Sequence, residues 1–255
     1  MHRARLRLRY GKPSDSCRSS RVAGVATSAL QSSGPCADRP GRGKIEHVFL
    51  QGSLFGVCDP AVDERFAEAR RVDLDDRSWV EFVPGWLVGA DAVFDELLDR
   101  LELRQRTNIP MYDSLVDEPR LTASWRAPAD GGPGDGPTTL LGDILRLLID
   151  RYHRPFDSIG FNLYRDGNDS VAWHGDRHRH HVTDPVVAIL SVGQARALRL
   201  RPRGGGPSHS WNLGGGDLFV MGGACQHEWE HSVPKLRRAV GPRLSITYRH
   251  DTAST

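Results

Sequence analysis

A mainly β fold with flanking helices is predicted by three observations. From Ser158 onward, short apolar or alternating runs recur between glycine-rich turns. Before them lie two stretches of helical periodicity. No internal repeat divides the 255 residues, a length that suits one large domain or two small ones at about 150 residues each.

Residues 1–44 read as a disordered basic tail outside the fold. They hold ten Lys/Arg against two Asp/Glu and few large apolar residues. A globular region, 45–255, is expected to follow as a single domain. Asp91 is placed to cap a first helix carrying Phe94, Leu97, Leu98 and Leu101. Strand-like pieces follow around Tyr112 and Leu121–Trp125, and Gly131–Pro137 is a loop. A second helix is predicted over Thr138–Tyr152, with Leu140, Leu141, Ile144, Leu145 and Leu148 inward. The β runs are Ile159–Arg165, Val186–Val192, Ala197–Arg201, Asp217–Met221 and Leu244–Arg249, with turns at Gly204–Pro207 and Gly214–Gly216. Such spacing suggests a sandwich, barrel or jelly roll.

Composition excludes several classes. No apolar run approaches the ~18 residues of a membrane span. Cys17, Cys36, Cys58 and Cys225 form no C-x-x-C pair, which argues against a zinc ribbon or a disulfide scaffold and for a reducing, cytoplasmic setting. The net charge of +2 comes from the tail, because the rest of the chain carries more acidic than basic residues. A polyanion would therefore have to meet a local patch. The candidates are Arg196, Arg199, Arg201 and Arg203, or Arg237, Arg238 and Arg243.

Three segments carry chemistry. In Arg243–Arg249, alternation puts Leu244, Ile246 and Tyr248 on one face and Arg243, Ser245, Thr247 and Arg249 on the other. An arginine face that looked into a barrel would require an anion there. The same pattern also fits an arginine face turned to solvent. In Ile159–Tyr164, Asn162 and Tyr164 share a face opposite Ile159, Phe161 and Leu163. In Trp173-His174-Gly175-Asp176, His174 and Asp176 lie two apart, so an imidazole and a carboxylate can grip one metal ion. His231 follows in His227-Glu-Trp-Glu-His231. Two histidines and a carboxylate on one side of a metal form the facial triad of non-haem Fe(II) oxygenases.

The stretch from Asn162 to Asp176, the segment Trp229-Glu-His231-Ser-Val-Pro and the closing Arg243–Arg249 resemble the AlkB family of 2-oxoglutarate- and Fe(II)-dependent dioxygenases. Pro119–Trp125 resembles that family's substrate-side segment. The resemblance covers about residues 80–250. It implies a double-stranded β-helix, a jelly-roll relative, with an N-terminal α/β nucleotide-recognition lid. The lid and first helix would span about 76–137, and the second helix and jelly roll about 138–250. It implies His174, Asp176 and His231 as iron ligands, and Asn162, Tyr164, Arg243, Thr247 and Arg249 as the 2-oxoglutarate pocket. Fe(II), 2-oxoglutarate and O2 follow as cofactors.

The implied reaction is oxidative dealkylation of an N-alkylated base of the 1-methyladenine or 3-methylcytosine type. DNA is expected ahead of RNA, with tRNA or a protein as alternative substrates. A non-catalytic jelly roll is the competing class. The target base has to be flipped out or already single-stranded. Tyr112 is the candidate wedge and Trp125 the candidate stacking surface, while Arg177 offers a phosphate contact. Asp176 is followed by Arg177-His178-Arg179-His180-His181. Base-repairing members usually carry acidic residues there, so this departure bears on base preference. No membrane partner is expected, and the protein is expected to act as a monomer.

Overall fold

The computed structural model describes residues 59–111, 114–127, 136–175 and 184–250. The 1–44 tail, Tyr112, Asp176 and Arg177 lie outside them. Ahead of the central strands come β1 (Ala61–Val62), β2 (Arg70–Asp73), β3 (Ser78–Val83), β4 (Leu87–Val88) and helix α1 (Ala90–Arg100). Then follow β5 (Arg104–Gln105), β6 (Ile109–Met111), β7 (Ser114–Val116), β8 (Leu121–Arg126) and helix α2 (Thr139–Tyr152). The remaining elements are β9 (Ser158–Tyr164), β10 (Val171–His174), β11 (Val187–Gly193), β12 (Arg196–Pro202), β13 (His209–Leu213), β14 (Leu218–Gly223), α3 (Cys225–Glu228), β15 (Trp229–Val233) and β16 (Arg243–Arg249).

The last eight strands form a jelly roll, as the sequence predicts. One sheet runs β2-β3-β14-β11-β16-β9-β8-β5 and the other β10-β15-β12-β13, with antiparallel neighbours throughout. The chain crosses between them, so the first strand of the roll, β9, pairs with the last, β16. A buried cluster drawn from both sheets fills the inside, including Ile189 of β11, Leu200 of β12, Phe219 of β14 and Val233 of β15.

The helices cover the outer face of the larger sheet. Leu141, Ile144, Leu145 and Leu148 of α2 recur at helical spacing and pack with Phe161, Leu190, Leu244, Ile246 and Tyr248. Thr138 caps α2, its hydroxyl accepting from the Leu141 N–H at 3.3 Å. Helix α1 differs from its expectation. Gly89, with φ +72°, is the N-cap and makes no side-chain cap; Asp91 sits in the first turn, where its charge favours the helix dipole.

Candidate active site

The polar ends of four inner strands converge on one cavity. His174 closes β10 directly opposite His231 of β15, and their rings are 4.2 Å apart. Alternation sends Trp173 to the other face, where the Arg201 guanidinium lies 4.3 Å from its ring. His174 Nδ1 is 2.9 Å from the Ala172 carbonyl. A carbonyl only accepts, so Nδ1 carries the proton and Nε2 keeps its lone pair for a metal. Two adjacent imidazoles, one with its tautomer set, suit a divalent cation. Among the described residues no third His, Cys, Asp or Glu joins them. Asp176, two residues beyond His174, lies outside the described residues.

The arginine face of β16 looks inward. Arg243, Ser245, Thr247 and Arg249 line the same cavity as His174, His231, Asn162 and Tyr164. The solvent-facing alternative fails because α2 covers the Leu244/Ile246/Tyr248 face and the roll encloses the other. Arg243 is 1% exposed, and its Nε donates to Ser191 Oγ at 2.8 Å. Among the described residues it forms no ion pair with a carboxylate. Asp217, whose charge acts on it from a distance, accepts from the Gly85 and Gly214 N–H groups instead. Burial lowers the Arg243 pKa from its ordinary value. Burial also pushes the Tyr164 phenol up, against the pull of Arg243, Arg120, Arg196 and Arg249, so it stays a neutral donor. A buried, unneutralised guanidinium among hydroxyls and an amide is the donor set that a dicarboxylate needs.

Two polar lining residues, Ser245 and Arg120, were missed in the sequence. Ser245 follows from the alternation that selected Thr247. Arg120 donates from Nε to Asn162 Oδ1 at 2.9 Å, so it bridges the segment before β8 to the pocket. Its signal was parity: Thr122 and Ser124 pair with Asn162 and Gly160, and Arg120 continues that row.

The same parity corrects Trp125. It pairs with Ile159 and packs against the helix-side core, on the face of the sheet away from the cavity, so it is not placed to stack on a base there. Both proposed basic patches also divide. Arg196 and Arg243 are buried, Arg201 pairs with Glu230 at 3.0 Å, and Arg199, Arg203, Arg237 and Arg238 are exposed.

Residues 124–249 match the family model described as the 2OG-Fe(II) oxygenase superfamily. The bovine protein named alpha-ketoglutarate-dependent dioxygenase alkB homolog 3 is 28% identical over 97% of this chain and 94% of its own. Its human counterpart is 31% identical over 63% of this chain and spans 61% of that relative. The Arabidopsis thaliana protein named DNA oxidative demethylase ALKBH2 is 32% identical over 37% of each chain. The chain belongs to the AlkB family of 2-oxoglutarate- and Fe(II)-dependent dioxygenases. It is therefore a dioxygenase that uses Fe(II), 2-oxoglutarate and O2. A solved structure of a Pseudomonas putida prolyl-4-hydroxylase covers 68% of this chain and 93% of its own, with a TM-score of 0.45 at 18% identity.

Proposed function

We propose that this dioxygenase removes N-alkyl groups from damaged bases in DNA, of the 1-methyladenine and 3-methylcytosine type, releasing aldehyde, CO2 and succinate. The observation that carries this reading is the facing pair His174 and His231 opening on the inward arginine face of β16. The substrate class is suggested by the name of the Arabidopsis thaliana relative, DNA oxidative demethylase.

In this proposal His174, Asp176 and His231 would hold the iron. Arg243 and Arg249 grip the carboxylates of 2-oxoglutarate, while Asn162, Tyr164 and Thr247 hydrogen-bond to it. Iron and 2-oxoglutarate together supply oxidation of an unreactive C–H bond by O2. The protein's share is placement. Arg243 binds without competing water, because the roll has already desolvated it. Tyr164 donates as a neutral phenol. Once the alkyl carbon carries a hydroxyl, its bond to the base nitrogen breaks and an aldehyde leaves. In the same proposal Tyr112 is the wedge of a nucleotide-recognition lid, and Arg177, the residue after Asp176, is a phosphate contact.

The test is formaldehyde release under air with Fe(II), ascorbate and 2-oxoglutarate. Matched single- and double-stranded DNA carrying either lesion, with RNA beside them, are the substrates. Release from DNA that a chelator abolishes is expected. Release from RNA alone would overturn the DNA assignment, and release from no oligomer would overturn the nucleic-acid assignment.

A further inference from the structure

Arg196 opens β12 and is 1% exposed, yet it lines no part of the cavity. Its guanidinium spends its donors on three backbone carbonyls. Nη1 donates to Asp166 O at 2.8 Å, and Nη2 donates to Asp169 O and Pro234 O, each at 2.9 Å. Those carbonyls belong to two loops. One connects Tyr164 to β10 and so to His174. The other connects β15, with His231, to Arg243.

The loops also bind each other. The Leu236 N–H donates to the Gly167 carbonyl at 2.8 Å. A Cβ at Gly167 would stand 2.5 Å from the Leu236 carbonyl oxygen, closer than any side chain allows, so glycine permits the contact. Arg196 lies 5.6 Å and Arg243 5.5 Å from the Tyr164 ring centre. Among the described residues Arg196 has no carboxylate ion pair. Asp169 offers its carboxylate to Arg165, at 2.8 and 2.9 Å, and only its carbonyl to Arg196.

A buried cation whose direct bonds are all to carbonyl dipoles, with the charges of Asp169 and Asp166 acting on it only from a distance, is costly, and a nearby anion offsets that cost. Among the described residues no carboxylate pairs with Arg196, while the adjacent cavity is built for a dianion. We infer that Arg196 is a positioning residue for 2-oxoglutarate: it pins both loops so that Tyr164 and Arg243 keep the spacing the co-substrate needs, without touching the co-substrate itself. A planar fork can bond carbonyls of two loops at once; a lysine ammonium is a point donor and cannot reproduce that geometry. Coupling is reciprocal, so if closed loops favour 2-oxoglutarate, 2-oxoglutarate favours closed loops. The inference rests on the family's co-substrate and stands apart from the base substrate proposed above.

The full-length protein, loaded with Mn(II), is titrated with 2-oxoglutarate by calorimetry as wild type, Arg196→Lys and Arg196→Met. Folding is checked by circular dichroism. A roughly tenfold weaker Kd is expected for Arg196→Lys, about 1.4 kcal/mol, with the turnover of 2-oxoglutarate at saturation reduced less than the affinity. Arg196→Met is expected to weaken binding further. In the wild type, 2-oxoglutarate should slow hydrogen exchange at the Leu236 amide. Wild-type affinity in either folded variant overturns the inference. So does an unprotected Leu236 amide in the liganded wild type, a result that needs no variant. A wild type that binds no 2-oxoglutarate would overturn the pocket assignment as well.

Discussion

On one side of β16, Leu244, Ile246 and Tyr248 pack against the helices with no charge among them. On the other, Arg243, Ser245 and Thr247 are just as buried and wholly polar. Equal burial with opposite chemistry separates what the fold needs from what the reaction needs. The apolar face gains from leaving water and is satisfied by the helices alone. The polar face is desolvated without being neutralised, so it gains most when a ligand arrives. Substitutions on the two faces should therefore register in different measurements.

The largest effect is expected at the end of the inner face. His174→Ala should bring demethylation of 3-methylcytosine DNA to background while circular dichroism stays that of the wild type. Next comes Arg243→Met. Loss of charge-assisted hydrogen bonds to a carboxylate is expected to cost about 3 kcal/mol, a roughly 100-fold higher KM for 2-oxoglutarate, with a small change in Tm. On the outer face, Ile246→Ala should cost about 2–5 kcal/mol of stability, seen in denaturant unfolding, with KM for 2-oxoglutarate unchanged. If Ile246→Ala raised that KM as much as Arg243→Met, the two faces would not be separable.

The smallest effect concerns the apolar part of the inner cluster. Trp229 belongs to it and donates from Nε1 to Asp75 at 2.7 Å. Burial pulls the Asp75 carboxyl up, but the donors Trp229, Arg77 and Ser78 outweigh it and hold the pKa below its ordinary value. The resulting stabilisation is present above the unfolded carboxyl's pKa, near 4, and is lost as pH falls through the folded value. Asp75→Asn should flatten the acid side of a Tm-against-pH curve slightly.

Much of this architecture was legible beforehand. The five strand runs survive with boundaries shifted by one or two residues, and α2 starts where its threonine cap stands. Alternation grouped Asn162 with Tyr164 on β9 and Arg243, Ser245, Thr247 and Arg249 on β16, and the family resemblance made all of these but Ser245 pocket members. What alternation could not do was choose the inner face, because both faces of β16 are buried and a period of two marks only their difference. Trp125 was misread for a related reason. Its chemistry suits stacking on a base, but its place in β8 follows from pairing with Ile159, which no local pattern reveals. Arg196 looked like one basic residue among several along its strand. Its acceptors are carbonyls 27 to 38 residues away, and backbone carbonyls carry no residue identity to read. Helix α1 lacked a side-chain cap, so Asp91 drew the assignment that belonged to Gly89.

The pairing of β9 with β16 has a consequence for how the molecule is made. The last strand of the roll sits in the middle of its sheet, between β9 and β11. Until residues 243–249 are available, the sheet has a gap at its centre and both flanking strands expose long unpaired edges. Such non-local closure is slow, and species waiting for it are prone to associate. The arginines proposed to bind the co-substrate, Arg243 and Arg249, ride on that closing strand. A ribosome-bound chain that has not yet released β16 lacks a complete sheet and a complete pocket alike, so the enzyme should gain its fold and its affinity for 2-oxoglutarate in one late step.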